Sequence, residues 1–207
     1  MISIDLNCDM GESLLEQRIA NDEKIMDFVS SVNIACGFHA GNEDVMRRTA
    51  AAAIRKGVAV GAHPSYRDIE NFGRSEMNLP ATQIFEIVSE QIMLMKMICE
   101  EEGGVMRHVK PHGAMCNQAA KSPELASAIA EAVHVCDPHL VFYGLSGSHL
   151  ISEARKLGLT TASEVFADRT YQADGSLTPR SMPGALIDTT ERAIAQVLQM
   201  VKNKTVT

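Results

Sequence analysis

The chain has 207 residues, 45% hydrophobic and 22% charged, with a net charge of −7. That length buries one sizeable core in one to two domains. The acidic balance and the lack of a Lys/Arg cluster exclude a nucleic-acid surface, and no apolar stretch approaches the roughly 20 residues of a membrane span.

Short apolar runs predict strands over 2–7, 31–35, 58–62, 106–110, 140–144 and 160–166, as expected of parallel strands buried on both faces. Helical spacing fills the gaps between them. Asn42 can cap a helix through Ala50 and Ile54, with Gly57 past its end. Residues 81–102 place Ile84, Val88, Ile92, Met95 and Cys99 on one helical face, and Gly103-Gly104 stops them. Ser122-Pro123-Glu124 reads as cap, first-turn proline and first-turn acid, and Asp188 with Glu191 reads as a capping box for a last helix near 191–202. Strand–helix alternation throughout implies an α/β protein with a parallel sheet. Six strands do not close a regular eight-strand barrel, which takes about 250 residues. An irregular barrel and an open doubly wound sheet both fit. Two long loops, 64–80 and 168–183, have the length of lids or binding loops.

Five strand runs end in polar, chemically capable residues, where loops of an α/β fold converge on ligands. The first delivers Asn7, Asp9 and Glu12, with Asp9 a candidate metal ligand or acid–base group and the other two in support. Alternation turns Cys8 to the opposite side. The second and third deliver His39 and His63, each beside glycines that permit close backbone approach. Asp9, His39 and His63 together suit a zinc, manganese or iron site with open positions. The alternative for each is a turn cap or a satisfied buried imidazole. The fourth adds Lys110, able to hold a carboxylate or transfer a proton, and His112; His108 shares the Lys110 face one layer deeper and is given no role. The fifth supplies Glu164, Asp168 and Arg169, whose guanidinium fork suits an anion that Arg74 and Arg180 on the long loops could also close over. Residues 144–148 can form either an anion nest or a tight connection; no phosphate-loop signature occurs.

Cys8, Cys36, Cys99, Cys116 and Cys136 are odd in number, lack CxxC spacing and read as reduced, small apolar residues. With an opening that goes directly into a strand, they favour a cytoplasmic protein. Met93, Met95 and Met97 read as core or homo-oligomer interface, and His134, His139 and His149 as surface or packing residues.

The segments DLNCDMGE from Asp5, NIACGFHAG from Asn33, GAHPSY from Gly61, FGR from Phe72, VKPHGA from Val109 and EVFADR from Glu164, with Tyr171, Gly175, Leu177, Arg180 and Gly184-Ala185, together resemble the LamB/YcsF family. The resemblance covers about residues 2–190. It implies an irregular, TIM-like (β/α) barrel with fewer than eight strands, related to glycoside hydrolases and carbohydrate deacetylases. It also implies ATP-dependent 5-oxoprolinase activity, opening 5-oxo-L-proline to L-glutamate together with two further subunits, B and C. The family's motif residues fall on Asp9, His39, His63, Lys110, His112, Glu164, Asp168 and Arg169. Asn42-Glu43, Arg67 and Met115-Cys116 depart from its usual residues, and relatives carry a further strand-end motif beyond Thr207. The expectation is therefore one barrel domain over 1–207, short of the family's C-terminal strand and helix. Because the chain lacks a phosphate loop, ATP is expected to act through the partner subunits.

For that chemistry, Arg169, Lys110 or Arg180 would take the substrate carboxylate, and Asp9 with His39 and His63 would activate water. His112 or Glu164 would protonate the leaving nitrogen. A stand-alone divalent-metal deacetylase or amidohydrolase, and a non-catalytic binding protein, are the competing readings.

Overall fold

The structure, a computed structural model, describes residues 4–205. The elements run β1 (Asn7–Met10), α1 (Glu16–Ile25), β2 (Ser31–Ala35), α2 (Glu43–Lys56), β3 (Ala59–His63), α3 (Ala81–Glu101), β4 (Met106–Val109), α4 (Gly113–Lys121), α5 (Pro123–Cys136), β5 (Val141–Leu145), α6 (His149–Lys156), β6 (Thr161–Glu164) and α7 (Thr190–Asn203). Local chemistry sets several boundaries. Asn42 Oδ1 accepts from Val45 N at 2.9 Å, and Gly57 ends α2 in the left-handed region at φ 72. Ser122 Oγ accepts from Leu125 N at 3.3 Å ahead of Pro123, so α5 starts where its cap pattern predicts. The capping box expected at Asp188 does not form: Thr189 is the cap residue of α7, and no side chain caps it.

The first strand differs most from expectation. It begins at Asn7, the last residue of the predicted run, and residues 2 and 3 lie outside the described residues. Leu6 is exposed, whereas Asn7 opens the register with Ser31. Hydrophobicity alone misplaces the start, because a side chain at the sheet margin gains little from burial.

By compactness the chain divides into Asp5–Ser163 and a smaller unit of Ile4 with residues 164–205. Six strands, all within the larger unit except for Glu164 at the end of β6, follow chain order in one sheet, β1-β2-β3-β4-β5-β6, curled as a half-barrel, and the successive pairs from β1 to β5 are parallel. This is the irregular TIM-like barrel geometry with fewer than eight strands. The two faces of the sheet differ. Met10, Val32, Ile34, Val60, Ala62, Val109 and Phe142 join the hydrophobic core with α2, α3 and α5. Asn7, Asp9, Ser31, Asn33, His63 and His108, at the alternating positions, share the opposite face and hydrogen-bond or pair with one another. The expectation of strands apolar on both faces therefore holds for one face only.

The smaller unit carries two antiparallel bridges, Arg169↔Leu186 and Tyr171↔Leu177. Within it the Gln196 amide of α7 donates to the carbonyls of Phe166 and Arg169, each at 2.8 Å.

Candidate functional site

The carboxyl ends of β1 to β4 converge through register. Asp9 lies opposite Asn33, Ala35 opposite His63, and Gly61 opposite His108. From these positions Asp9 Oδ1 receives Lys110 Nζ at 2.8 Å and Asn33 Nδ2 at 2.7 Å, while Oδ2 lies 3.3 Å from His63 Nε2. Burial alone would raise the Asp9 pKa. The charges of His63 and Lys110, and the hydrogen bonds both make, override it and hold the carboxyl well below its usual range.

Backbone carbonyls settle two histidine tautomers. A carbonyl only accepts, so His63 donates from Nδ1 to Lys110 O at 2.6 Å and His112 donates from Nε2 to Phe72 O at 3.0 Å. Their remaining nitrogens, His63 Nε2 and His112 Nδ1, face each other at 2.9 Å. Two lone pairs at that separation repel unless a proton or a cation lies against both. His39 stacks on His112 with ring centroids 3.9 Å apart and planes 8° from parallel, and its Nε2 lies 3.3 Å from Glu12 Oε1. His39 Nδ1 is buried without a hydrogen-bond partner. Burial, reinforced by the charge of His63, pushes both His39 and His112 down to about 3, so both are neutral with lone pairs available at neutral pH. Burial pushes the Glu12 carboxyl upward.

One ligand atom from each of Glu12, His39, His63 and His112 falls within 4.8 Å of the others. Three imidazoles and a carboxylate, two of the imidazoles oriented by backbone carbonyls, form a donor set compatible with a divalent metal. The set expected from strand ends was Asp9, His39 and His63. The geometry groups the two histidines with Glu12 and His112 and engages Asp9 with Lys110 and Asn33.

The 64–80 loop is pinned against this cluster. The Gln91 amide brackets Ser65, accepting from its N at 3.0 Å and donating to its O at 2.9 Å, and Ala114 N donates to Gly73 O at 2.9 Å. Phe72, at φ 57, sets its ring edge-on to both His39 and His112 at 5.4 Å. A side chain on Gly73, at φ 66, would stand 2.8 Å from His39 Cβ, so only glycine lets the loop approach. A cleft of about 130 Å³ opens beside Asp9, Glu12 and Phe72, with Arg18 from α1 on its lining. A larger groove of about 270 Å³ between α1 and α2 contains none of the strand-end residues.

Other expected residues have defined surroundings. Asn7 donates to Ser31 Oγ at 2.7 Å and to Asn33 Oδ1 at 3.1 Å, within the inward-facing network. Arg74 is exposed, its guanidinium 5.0 Å from the Phe72 ring centre, and its charge acts on Glu12 and His39. Glu164, Asp168, Arg169 and Arg180 lie in the smaller unit. There Arg169 is buried and donates to Thr178 O at 2.6 Å, while Asp168 and Arg180 are exposed. Residues 144–148 form a tight connection, with Ser148 N and Oγ both donating to Leu145 O. Burial raises the thiols of Cys36 and Cys99 to about 12 and that of Cys8 to about 11, consistent with packing residues. Sequence reasoning misses Asn33. Its one signal is its place inside an apolar strand, where a polar residue must be satisfied. No helix among the described residues is long and apolar enough to cross a membrane.

Comparisons with known proteins agree with this architecture. The chain is 56% identical over 206 residues to the A subunit of 5-oxoprolinase from Geobacillus kaustophilus (strain HTA426), covering all of this chain and 80% of the relative. It superimposes on the crystal structure of the lactam utilization protein from Thermus thermophilus with a TM-score of 0.92 at 41% identity, covering 99% of this chain and 83% of that one. The LamB/YcsF family model matches residues 4–207, and the chain belongs to the LamB/YcsF family.

Proposed function

We propose that this chain is the A subunit of an ATP-dependent 5-oxoprolinase and opens 5-oxo-L-proline to L-glutamate with partner subunits B and C. The observation that carries the reading is the Asp9 constellation. A carboxylate held ionised by Lys110 and Asn33 keeps Oδ2 toward the histidine cluster. In this reading Oδ2 takes a proton from water as the water oxygen bonds to the lactam carbonyl carbon. The C–N bond then breaks and the nitrogen takes the proton held on Asp9 Oδ2, giving the free amine and returning Asp9, whose carboxyl is held well below its usual range, to the ionised form. Arg18 and Arg74 are the cations proposed for the substrate carboxylate, since Lys110 is paired with Asp9. Glu164, Asp168, Arg169 and Arg180 enter the proposal through the family motif. ATP is assigned to the partner subunits.

The donor chemistry of Glu12, His39, His63 and His112 fits a divalent metal, and the partnerless buried His39 Nδ1 marks unused ligating capacity there. Such an ion would supply Lewis-acid polarisation of a carbonyl. The same cluster favours a second reading, a metal-dependent amidohydrolase or deacetylase acting alone.

Combining the purified chain with its partner subunits, ATP and 5-oxoproline, and following glutamate, tests the first reading. Release that depends on all components supports it, and no release from a folded assembly overturns it. Metal analysis of protein purified without an affinity tag tests the second. Stoichiometric metal together with hydrolysis of an acylated amine by the chain alone would favour it.

A further inference from the structure

A chain of side chains crosses the inner face of the sheet behind Asp9. Tyr143 on β5 stacks on the His108 ring at 4.5 Å and 28°, and its hydroxyl donates to Asp5 Oδ2 at 2.9 Å. His108 on β4 reaches over β3 to Asn33 on β2, with Nε2 2.8 Å from Asn33 Oδ1. It crosses at Gly61, where a Cβ would fall 2.2 Å from the ring. Gly61 therefore makes room for His108; the approach it permits is that of a side chain of the same molecule. Asn33 then donates to Asp9 Oδ1 on β1.

The protons along this chain are determined by charge. Asp9, paired with Lys110, can only accept, so the Asn33 NH2 must face it. The Asn33 carbonyl oxygen then faces His108, which must carry its proton on Nε2. Asn33 Oδ1 also accepts from Asn7 Nδ2, and its Nδ2 also donates to Asn7 Oδ1, so both donors and both acceptor sites of this fully buried amide are used.

We infer that Asn33, locked by His108, is a positioning residue that selects which oxygen of Asp9 reacts. With Lys110 and Asn33 both on Oδ1, Oδ2 is the oxygen left toward the histidine cluster. The inference rests on the proposed role of Asp9 and deepens it.

Two substitutions separate positioning from packing. His108→Phe keeps a ring against Tyr143 and removes the N–H; His108→Gln keeps a donor of similar reach and removes the ring. In the assembled enzyme His108→Phe should lower kcat about 100-fold with KM little changed, the scale of a small misplacement of a reacting group. His108→Gln should restore at least about tenfold of that loss. Crystal structures of both variants give a readout independent of activity. The Asp9 carboxylate should rotate in the Phe variant and keep its Lys110 and Asn33 contacts in the Gln variant. Asn33→Asp, isosteric but unable to donate, should also turn Asp9, and it serves if His108→Phe does not fold. An unmoved Asp9 in His108→Phe and Asn33→Asp, or a Gln variant more damaged than the Phe variant, would overturn the inference. If the wild-type assembly releases no glutamate, the proposed activity fails, and the crystallographic comparison still decides the positioning.

Discussion

On β1, Met10 faces the helices while Asn7 and Asp9 face inward, and β2 repeats this with Val32 and Ile34 against Ser31 and Asn33. One set is held by burial of apolar area, which is non-directional. The other is held by hydrogen bonds and charge, which need defined partners at defined distances. The same strands therefore carry two kinds of tolerance. The outer face should accept volume-conserving changes, and the inner face should fail on changes that alter no volume at all.

The contrast is broken most completely by acid. His39, His108 and His112 are held neutral by burial, at about 3, 4 and 3, against an ordinary value of 6.5. A histidine depressed in the folded state binds its proton first in the unfolded chain. Its contribution is intact above about pH 6.5 and is lost as pH falls toward the folded value, at about 1.4 kcal/mol per pH unit for each group. Asp9, also depressed, adds to the loss below about pH 4. Glu12 is raised and works in the opposite sense, its stabilisation being present at low pH and lost as pH rises. Urea unfolding of chelator-treated protein should show stability several kcal/mol lower at pH 4.5 than at pH 7. A flat profile would show that the histidines are not held neutral.

Asp9→Asn removes one charge at constant volume. Glutamate release in the assembly should fall by at least about 100-fold, with some loss of stability as well, because buried Lys110 loses the charge of Asp9. Phe142→Ala on the outer face should act on stability alone, costing about 3–5 kcal/mol in urea unfolding with glutamate release per folded assembly unchanged. Equal losses of glutamate release per folded assembly in these two variants would erase the distinction between the faces. Gly61→Ala, which pushes a methyl against the His108 ring, should cost about 1–3 kcal/mol by thermal unfolding. Replacing His108 by Ala in the same chain should recover part of that cost. Asn42→Ala, which removes only the side-chain cap of α2, should cost about 1 kcal/mol by thermal unfolding.

Much of the fold was legible because its signals are local. The Asn42 and Ser122 caps, Gly57 and the strand over Ser31–Ala35 depend on residues within a few positions of one another. The candidate site was legible as a set of residues. Asp9, His39, His63, Lys110 and His112 could each be found at a strand end, where the topology delivers side chains to one place. Their grouping was not legible. Whether Glu12 or Asp9 joins the histidines depends on which carboxylate Lys110 and Asn33 engage, and those partners lie 101 and 24 residues from Asp9.

By itself, the sequence determined the alternation of strands and helices, the caps, and the polar residues waiting at strand ends, since each follows from neighbouring side chains and a fixed period. Only the tertiary structure decided that one sheet face is a polar network and which nitrogen of His63, His108 and His112 carries its proton. The same holds for Gly61, which serves His108. Those outcomes depend on register between strands and on backbone carbonyls supplied from elsewhere in the chain, such as Phe72 O for His112.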